Sequence, residues 1–356
     1  MTVGSGIHGL QGSLDSKRVR VIVVTHNSMH DIQVCISSLL SQKGITLEIV
    51  VVDNASIDGT PEYIKSEYGS QIRLVPLSKN IGYAGGCNSG LWQPLPDYIV
   101  FLNADTEGDE WWLHNAISVM DLNPSCGACQ PVVLLYDKRN LLNTRGNESN
   151  FLFIAWPDGF GEKWDSNERV RRIAFASGCA AIYRKQVLED IGGFDESYFM
   201  YCEDLDLGLR AFLFGYDTLL SPLSIVYHKY NPRLSGTKYY LLERNRIMTL
   251  FKIYRVRTLT AILPVFLLTE SALLAKSFLE GWAVHKLKCY AYLVRNLPLL
   301  MERRRQTQRI RVREDTDLLT MLSGAVEFSG IPSTHSFEIG NSVFEKYLKF
   351  LRTLKL

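Results

Sequence analysis

Three acidic residues lie close together in segment 201–207, whose sequence is YCEDLDL. They are Glu203, Asp204 and Asp206. Like charges held together in a crevice raise one another's pKa, which suits a carboxylate that accepts a proton near neutral pH. Acids in the first turn of a helix also stabilise the helix through its dipole. The segment is therefore a candidate for proton transfer, with helix stabilisation as the alternative for at least one of the acids.

A second candidate for chemistry is Asp105, in the segment Asn103-Ala104-Asp105 that follows a short apolar run. Proteins often bind Mg²⁺ or Mn²⁺ through one or two carboxylates, and phosphate oxygens supply further ligands. Asp and Asn also cap helices, and a helix predicted from Asp109 to Met120 starts nearby. His228 follows the apolar segment 224–227, where a lone histidine is more often structural than a ligand. Metal binding and helix capping both stay open at this point.

The segment from Asn80 to Asn88, NIGYAGGCN, is rich in glycine. Glycines let a backbone approach a ligand closely, and the start of a helix offers N–H groups to anions. The segment lacks the Gly-Lys-Ser/Thr of a P-loop, and its glycine spacing differs from that of a dinucleotide-binding fingerprint. It is a candidate for contact with a phosphate or a sugar.

Alternating strands and helices position these segments. Short apolar runs predict buried strands, and amphipathic segments such as Asp31 to Ser41 predict the helices between them. This alternation predicts an α/β fold with a mostly parallel, Rossmann-like sheet flanked by helices. Polar residues follow three of the strands, at 25–27, 53–54 and 103–105, and open α/β sheets bind ligands beyond such strand ends. The predicted strands are Val19–Thr25, Leu47–Val52, Ile72–Pro76 and Tyr98–Leu102.

The composition excludes several classes of protein. A hydrophobic fraction of 46% and a charged fraction of 21% are typical of globular proteins, and a net charge of +2 gives no indication of nucleic acid as a partner. The seven scattered cysteines argue against a disulfide framework, and Cys126-x-x-Cys129 has no second pair at zinc-finger spacing. The polar N-terminal segment lacks the apolar stretch of a signal peptide, which predicts a cytoplasmic protein.

The character of the chain changes after about residue 255. The run Leu259–Ala275 is apolar, but Pro264 and Glu270 interrupt it, so it is marginal as a membrane span. Glu270, Ser277 and Glu280 share one stripe of a helix, which favours an amphipathic helix in the membrane interface, with a plain packed helix as the alternative. The basic residues over 286–313 then predict a patch for anionic lipid headgroups.

The sequence accordingly divides into three parts. Residues 1–17 are predicted as a flexible tail, 18–255 as the catalytic domain, and 256–356 as a helical, basic, membrane-associating region. Within the last part, 323–341 is predicted as a loop and Val343–Leu354 as a short amphipathic helix.

Four stretches, in this order, resemble the motifs of family 2 inverting glycosyltransferases of GT-A fold, in particular the bacterial and archaeal rhamnosyltransferase-like branch. Each motif is loose, but the ordered set is specific and covers about Val19 to Arg246. Segment 177–180 also resembles the family's acceptor-side loop, and Tyr239-Tyr240 with Glu243-Arg244-Asn245 resembles a segment of the rhamnosyltransferase-like branch. The four stretches are VVTHN (23–27) with VDNAS (52–56), NIGYAGGCN (80–88), Asn103-Ala104-Asp105 and YCEDLDL (201–207).

The resemblance implies a role for each motif. Asp204 is the general base, and Glu203 contacts the acceptor or orients the base. Asp105 binds the Mg²⁺ or Mn²⁺ that holds the diphosphate, and His228 completes that metal site. The family often has a second acid at the position of Asn103, so here Asp105 is the sole carboxylate of the motif. The nucleotide site is formed by Thr25, Asn27, Asp53 (which reads the pyrimidine edge), Asn54, Asn80, Gly82 and Asn103, and the acceptor side by Ser177, Gly178 and Arg244.

We interpret the sequence as that of an inverting, metal-dependent glycosyltransferase acting in cell-envelope polysaccharide or glycan synthesis. It is expected to move a sugar, with rhamnose as one candidate, from a UDP- or dTDP-linked donor to a hydroxyl of a glycan or lipid-linked acceptor. We expect it in the cytoplasm, peripheral on the inner face of the cell membrane and in contact with anionic lipid; the sequence leaves a homo-oligomer open. The alternatives are a non-catalytic sugar-nucleotide- or lipid-binding protein of the same fold and a nucleotidyltransferase, although the glycine- and lysine-rich N-terminal loop of the latter is missing.

Overall fold

The computed structural model describes residues 17–230, 235–327, 335–354 and 356. The predicted N-terminal tail therefore lies outside the described residues, apart from Lys17. The strands are β1 Arg18–Thr25, β2 Thr46–Asp53, β3 Arg73–Pro76, β4 Tyr98–Asn103, β5 Thr106–Gly108, β6 Cys126–Leu135, β7 Lys138–Thr144, β8 Asn147–Ser149, β9 Ala155–Pro157, β10 Arg171–Ile173, β11 Ala180–Arg184 and β12 Asp217–His228.

Helices connect these strands and then continue alone to the end of the chain. The first of them follow the predicted amphipathic segments, and Pro61 lies in the first turn of the second helix, where its missing N–H is not needed. The helices are α1 Ile32–Leu40, α2 Thr60–Tyr68, α3 Gly82–Ser89, α4 Trp112–Leu122, α5 Lys185–Ile191, α6 Glu203–Phe214, α7 Gly236–Ile253, α8 Val256–Leu279, α9 Ala283–Arg295, α10 Leu297–Arg309, α11 Asp315–Met321 and α12 His335–Thr353.

One large mixed sheet holds most of the strands. Its order is β10-β12-β6-β11-β4-β1-β2-β3, with β5 paired to β12 and β7 to β6. The four predicted strands form its parallel half, because β1 pairs in parallel with β2 and β4, and β2 with β3. The other half is mixed, since β11 runs antiparallel to β4 and β6 while β12 runs parallel to β6.

The strands of the parallel half bury both of their faces. Successive side chains of a strand point to opposite faces, and Val21 and Val23 pack in one apolar core while Ile22 packs in another. The register sets Thr25 opposite Asp53 and Val24 opposite Asn103. The polar residues that end these three strands therefore meet at one edge of the sheet, as the sequence predicts.

The predicted loop over 323–341 is wrong at its C-terminal end, because α12 begins at His335. Residues 328–334 lie outside the described residues. Gly340 and Asn341 have low helix propensity and hide the helix from an apolar pattern. The Asn341 side chain bonds both the N–H and the C=O of Val326, each at 2.9 Å, so a tertiary contact supports the helix there.

Helix α8 is long and apolar enough to cross a membrane by length and composition, and only a minority of its most apolar window is buried. The predicted orientation of its polar stripe is wrong for Glu270 and Ser277, while Glu280, which follows the last residue of the helix, is exposed. Glu270 and Ser277 are buried, and the Glu270 carboxylate pairs with Arg246 of α7 and, at 2.9 Å, with Lys286 of α9. The exposed side chains of α8 are instead apolar and include Leu263, Leu267, Leu268, Phe278 and Leu279.

The predicted basic patch over 286–313 is also largely wrong, because most of its charges have partners inside the protein. Lys286 is fully buried between Glu243 and Glu270. Arg304 donates to the C=O groups of Phe251 and Tyr254. Arg311 pairs with Asp315, and Arg313 with Asp217 at 2.9 Å. The exposed basic residues of this part are Lys288, Arg295, Arg305 and Arg309.

Candidate active site

The ends of β1 and β2 are joined by side-chain hydrogen bonds. Thr25 Oγ1 donates to Asp53 Oδ1 at 3.0 Å, and Asp53 Oδ2 accepts the N–H of Ser56 at 3.0 Å. Asn27 adopts a positive φ of 55°, and its Oδ1 accepts the N–H of Ile57 at 2.9 Å. The structure thus brings Thr25, Asn27 and Asp53 together. Asp53 is only 2% exposed, and each of its oxygens keeps one lone pair for a further donor.

Asn54 connects this edge to the glycine segment. Its side chain donates to Asn80 Oδ1 and to the C=O of Gly82, both at 3.0 Å, and accepts the N–H of Ile81 at 2.9 Å. Gly82 has a φ of +81°, and a Cβ there would lie 2.3 Å from the C=O oxygen of Phe199. Glycine is therefore required at this position, both for the backbone conformation and for the close approach.

Asp105 and His228 meet beyond the ends of β4 and β12. The Asp105 carboxylate lies 3.4 Å from His228 Nε2 and is about one third exposed. His228 Nδ1 is 2.8 Å from Asn143 Oδ1, and donation of the Nδ1 proton to that oxygen directs Nε2 towards Asp105. Burial lowers the pKa of His228, but the Cys179 sulfur and the Asp105 carboxylate raise it to about 10. Without a cation the two groups thus form an ion pair, and a cation bound here would replace the His228 proton at Nε2.

The Asp105–His228 pair fits a divalent cation. Neighbouring ligands of an octahedral Mg²⁺ lie about 3 Å apart, since each bond is about 2.1 Å long. The 3.4 Å between the two donor atoms is close to this separation. Across the described residues, no group of three or more His, Cys, Asp or Glu side chains is arranged to hold a metal ion. A cation at this pair would therefore need ligands from a bound molecule, as the sequence predicts for a diphosphate.

The acid segment begins helix α6. Cys202, in a left-handed conformation, precedes the helix, and Glu203 and Asp204 form its first turn. Asp204 Oδ2 accepts the N–H of Gly178 at 3.0 Å, and Asp204 Oδ1 accepts the N–H of Leu205 at 2.8 Å. The C=O of Gly178 in turn accepts the hydroxyl of Tyr83 from the glycine segment. Burial raises the pKa of Asp204, although the three backbone N–H groups near it oppose that shift.

Glu203 lies beside Asp204 but has a different environment. It is 6% exposed, and its Oε2 has no hydrogen-bond partner in the described part of the chain. Burial raises the pKa of Glu203 well above its usual value, and the charge of Asp204 raises it further. The pKa of Glu203 is therefore raised further than that of Asp204, so Asp204 is the member of the pair that loses its proton first as pH rises.

Asp206 points away from this site into a buried ionic cluster. It pairs with Arg210 of its own helix at 2.8 Å and with Lys252 of α7 at 2.8 Å. Lys252 also reaches Asp195 at 2.7 Å, and Arg303 of α10 lies 3.6 Å from Asp195. Asp206 thus links the helix that bears Asp204 to α7, which agrees with the structural alternative for one of the three acids.

The three residues predicted for the acceptor side separate into two groups. The N–H of Ser177 bonds Gln130 Oε1 at 2.7 Å, and Gly178 bonds Asp204, so both lie next to the acids. Arg244 is 5% exposed, and its Nη2 donates to the C=O groups of Ser197 and Tyr198. The Arg244 guanidinium therefore binds the backbone that precedes the acid helix, and it supports that backbone instead of facing the acceptor.

One turn of backbone joins the acids to the Asp105 pair. Gly178 bonds Asp204, and the next residue, Cys179, accepts the N–H of Asn103 at 2.9 Å through its C=O oxygen. Tyr83 and Cys179 also belong to the site, and both lie inside motifs of the sequence, but neither was predicted from the sequence as a site residue. Asn143, the partner of His228, was not predicted either, because no sequence motif marks strand β7.

Comparisons with known proteins bear on the family of the chain and on its fold. Residues 20–192 match the family model described as "Glycosyl transferase family 2". The chain is similar to the N-acetylglucosaminyl-diphospho-decaprenol L-rhamnosyltransferase of Mycobacterium tuberculosis (strain CDC 1551 / Oshkosh), with 26% identity over 230 residues that cover 58% of this chain and 75% of the relative.

Two solved structures have a similar fold. The crystal structure of GalNAc-T7 with UDP, GalNAc and Mn²⁺ superposes with a TM-score of 0.55 at 14% identity, over 66% of this chain and 48% of that chain. The crystal structure of S. aureus TarS 1–349 in complex with UDP superposes with a TM-score of 0.50 at 16% identity, over 94% of this chain and 90% of that chain. At these identities the similarity establishes the GT-A-like fold.

Proposed function

Because residues 20–192 match the model of glycosyl transferase family 2, we propose that the chain is an inverting glycosyltransferase that uses a UDP- or dTDP-linked sugar. The observation that carries this proposal is the turn at Gly178-Cys179. It holds the Asp204 carboxylate on one side and the Asn103–Asp105 strand end on the other. This geometry supports a proton acceptor and a site for the leaving diphosphate on either side of two consecutive residues, which is the arrangement that sugar transfer needs.

In the proposed reaction, Asp204 takes the proton of an acceptor hydroxyl. The acceptor oxygen forms a bond to the anomeric carbon as the bond from that carbon to the diphosphate oxygen breaks. The proton ends on the Asp204 carboxylate, and the electron pair of the broken bond ends on the diphosphate. A single displacement of this kind inverts the anomeric configuration. Glu203, in its protonated form, donates a hydrogen bond to the acceptor or to Asp204.

We propose that Asp105 and His228 hold a divalent cation, Mg²⁺ or Mn²⁺. Such a cation supplies positive charge to the departing diphosphate. Asn103 adds a neutral amide at the same strand end, so Asp105 carries the charge of the motif. In the donor site, Asp53 accepts the ring N–H of the pyrimidine, and Thr25, Asn27, Asn54, Asn80 and Gly82 shape the surrounding loops.

We further propose that the acceptor is a lipid-linked or cell-envelope glycan and that the protein works at the cytoplasmic face of the membrane. The mycobacterial relative is named for a diphospho-decaprenol acceptor. The exposed apolar side chains of α8, with Leu267 and Leu268 among them, support contact with a lipid surface. With most basic residues of 286–313 paired internally, this contact is expected to be chiefly apolar.

The test is a transfer and donor-hydrolysis assay of the full chain against a panel of UDP-, dTDP- and GDP-sugars with Mn²⁺ or Mg²⁺. Release of UDP or dTDP, with NMR of the product showing the anomeric configuration opposite to that of the donor, supports the proposal. Retained configuration overturns the inverting mechanism. Binding of a nucleotide sugar without turnover favours a non-catalytic protein of the same fold. Release of pyrophosphate from a nucleoside triphosphate and a sugar phosphate favours a nucleotidyltransferase.

A further inference from the structure

Segment 197–202, which leads into the acid helix, has an unusual backbone. Phe199, Tyr201 and Cys202 have positive φ angles of 63°, 69° and 59°. This region of conformational space is disfavoured for L-residues other than glycine, because the Cβ approaches the backbone. Three such residues within four positions persist only when the surrounding structure holds them. The segment ends directly at Glu203 and Asp204, so its conformation fixes where the acids begin.

Asn245 of α7 binds the backbone C=O groups of this segment. Its Nδ2 is 3.0 Å from the C=O oxygen of Tyr198, 2.9 Å from that of Met200 and 2.6 Å from that of Tyr201. Asn245 is fully buried. One amide nitrogen thus serves three carbonyl groups of segment 197–202, and one of these belongs to Tyr201, a residue with positive φ.

Arg244 fixes the orientation of that amide. Its Nε donates to Asn245 Oδ1 at 2.8 Å, and its Nη2 donates to the C=O groups of Ser197 at 3.0 Å and Tyr198 at 2.7 Å. Arg244 Nε is a donor, so the Asn245 amide atom that faces it must be the oxygen. The amide atom that faces the backbone carbonyls must then be the nitrogen. Together the two side chains bind the C=O groups of 197, 198, 200 and 201.

The opposite side of the segment contacts the glycine motif. The C=O of Phe199 accepts the N–H of Ala84 at 3.2 Å, and Gly82 packs so closely that a Cβ would lie 2.3 Å from the same oxygen. Segment 197–202 therefore lies between Arg244-Asn245 on one side and the glycine motif on the other, with Asp204 at its end. A shift of the segment would move the acids relative to the donor-side loops.

We propose that Asn245, oriented by Arg244, is a positioning residue for sugar transfer. It touches neither substrate nor the reacting atoms, and acts by holding segment 197–202 in the left-handed conformation that places Asp204. The inference rests on the proposed function, since it takes Asp204 as the base. A misplacement of about 1 Å at a reacting group can cost about a hundredfold in rate. The effect should therefore appear in kcat, with the donor KM nearly unchanged.

The test compares Asn245→Ala with two controls on the same helix. Asn245→Ala is expected to lower kcat per folded molecule about 10- to 100-fold, with the donor KM within about threefold. Thr237→Ala, at an exposed position, should leave both unchanged. Ile253→Val, in the buried end of α7, should lower the unfolding temperature without lowering kcat of the folded enzyme. A kcat for Asn245→Ala within twofold of wild type overturns the proposal.

A rescue variant separates positioning from general damage. Glycine accepts a positive φ without strain, so Asn245→Ala combined with Cys202→Gly should recover at least about tenfold in kcat over Asn245→Ala alone. Failure of the double variant to recover kcat, when both variants are folded, contradicts the proposed role of the left-handed backbone.

Amide hydrogen exchange gives a readout that does not need activity. Asn245→Ala should speed exchange across 198–205 at least about tenfold and leave β1 and β2 unchanged, because only segment 197–202 loses its support. If wild type transfers no sugar but this exchange accelerates, the proposed function fails and the support by Asn245 stands. If exchange over 198–205 is unchanged, the positioning role is refuted whatever the activity. If Asn245→Ala does not fold, Arg244→Lys takes its place, because lysine retains the charge but loses the planar fork of donors. Its kcat and its exchange over 198–205 are then judged by the same criteria.

Discussion

Exchange of Asp204 for asparagine tests the assignment of the base with the smallest change in shape. In the structure, Asp204 accepts two backbone N–H groups, from Gly178 at 3.0 Å and Leu205 at 2.8 Å. An asparagine oxygen can keep one of them, and its NH₂ group then faces the other. The lost hydrogen bond should lower the free energy of unfolding by about 1–3 kcal/mol. The folded variant should still bind donor, since Asp204 has no part in the donor-side loops.

The expected loss of turnover is larger than this loss of stability. A positioned general base contributes about 10²- to 10⁴-fold, which corresponds to about 2.7–5.4 kcal/mol in the activation barrier. The loss should appear in kcat with little change in the donor KM. The acid limb of the pH–rate profile reports the raised pKa of Asp204: turnover falls as pH falls through that pKa, because protonated Asp204 cannot accept a proton. This limb should disappear in Asp204→Asn.

Glu203→Gln is the matched control, because it makes the same acid-to-amide change at the next residue. Glu203 is buried and burial raises its pKa well above the usual value, and glutamine resembles the neutral acid in shape and charge. We expect its kcat to stay within about tenfold of wild type, with the acid limb retained. Steady-state kinetics at pH 5–9 and denaturant unfolding of both variants form the assay. Near-normal turnover of a folded Asp204→Asn variant, or an equal loss in Glu203→Gln, would refute the assignment.

Three further predictions follow from the geometry. Chelation by EDTA should abolish activity, and Asp105→Ala should lose far more activity in Mn²⁺ titrations than Asn103→Ala; full activity in EDTA would exclude the metal. Asp206→Asn should lower the free energy of unfolding in urea by about 3–5 kcal/mol with a smaller effect on kcat than Asp204→Asn, because it disrupts a buried ionic cluster; an unchanged midpoint would contradict this. Wild type should float with vesicles even at high salt, and Leu267→Asp should abolish this flotation. Vesicle binding by wild type that high salt removes would show that the contact is electrostatic and not apolar.

The parallel half of the sheet and its ligand-binding edge could be predicted because their signals are local. Strands β1, β2 and β4 contain continuous apolar runs, at 21–24, 49–52 and 98–102, and each ends in a polar residue that marks the carboxyl end of the strand. Parallel pairing then brings those ends to one edge without further information. The register of Thr25 against Asp53 shows that strand ends alone were sufficient to place two site residues side by side.

The pairing of charges could not be predicted, since it depends on contacts between distant residues. Lys286 looked like part of a solvent-exposed basic run, yet it is fully buried against Glu243, 43 positions earlier. Glu270 looked like the polar face of an interfacial helix, yet it pairs with Arg246, 24 positions earlier. A helix with a buried polar stripe and an exposed apolar one has the same periodicity as an ordinary amphipathic helix. Hydrophobic spacing therefore identifies the two faces but leaves open which of them meets solvent.

Four consecutive residues of α7 explain why the C-terminal helices matter to the site. Residues three positions apart share a helix face, so Glu243 and Arg246 turn together towards α8 and α9, where Lys286 and Glu270 complete a buried cluster. Arg244 and Asn245 project from another part of the helix and hold segment 197–202. Burial raises the pKa of Glu243, but Arg246 and Lys286 lower it to about 2, so the cluster stabilises the protein above about pH 4.5 and loses that contribution as pH falls towards 2. The predicted boundary at 255/256 passes through this cluster. Separating the two parts would leave buried charges unpaired, so the C-terminal helices are expected to fold with the catalytic domain as one unit rather than as a detachable anchor.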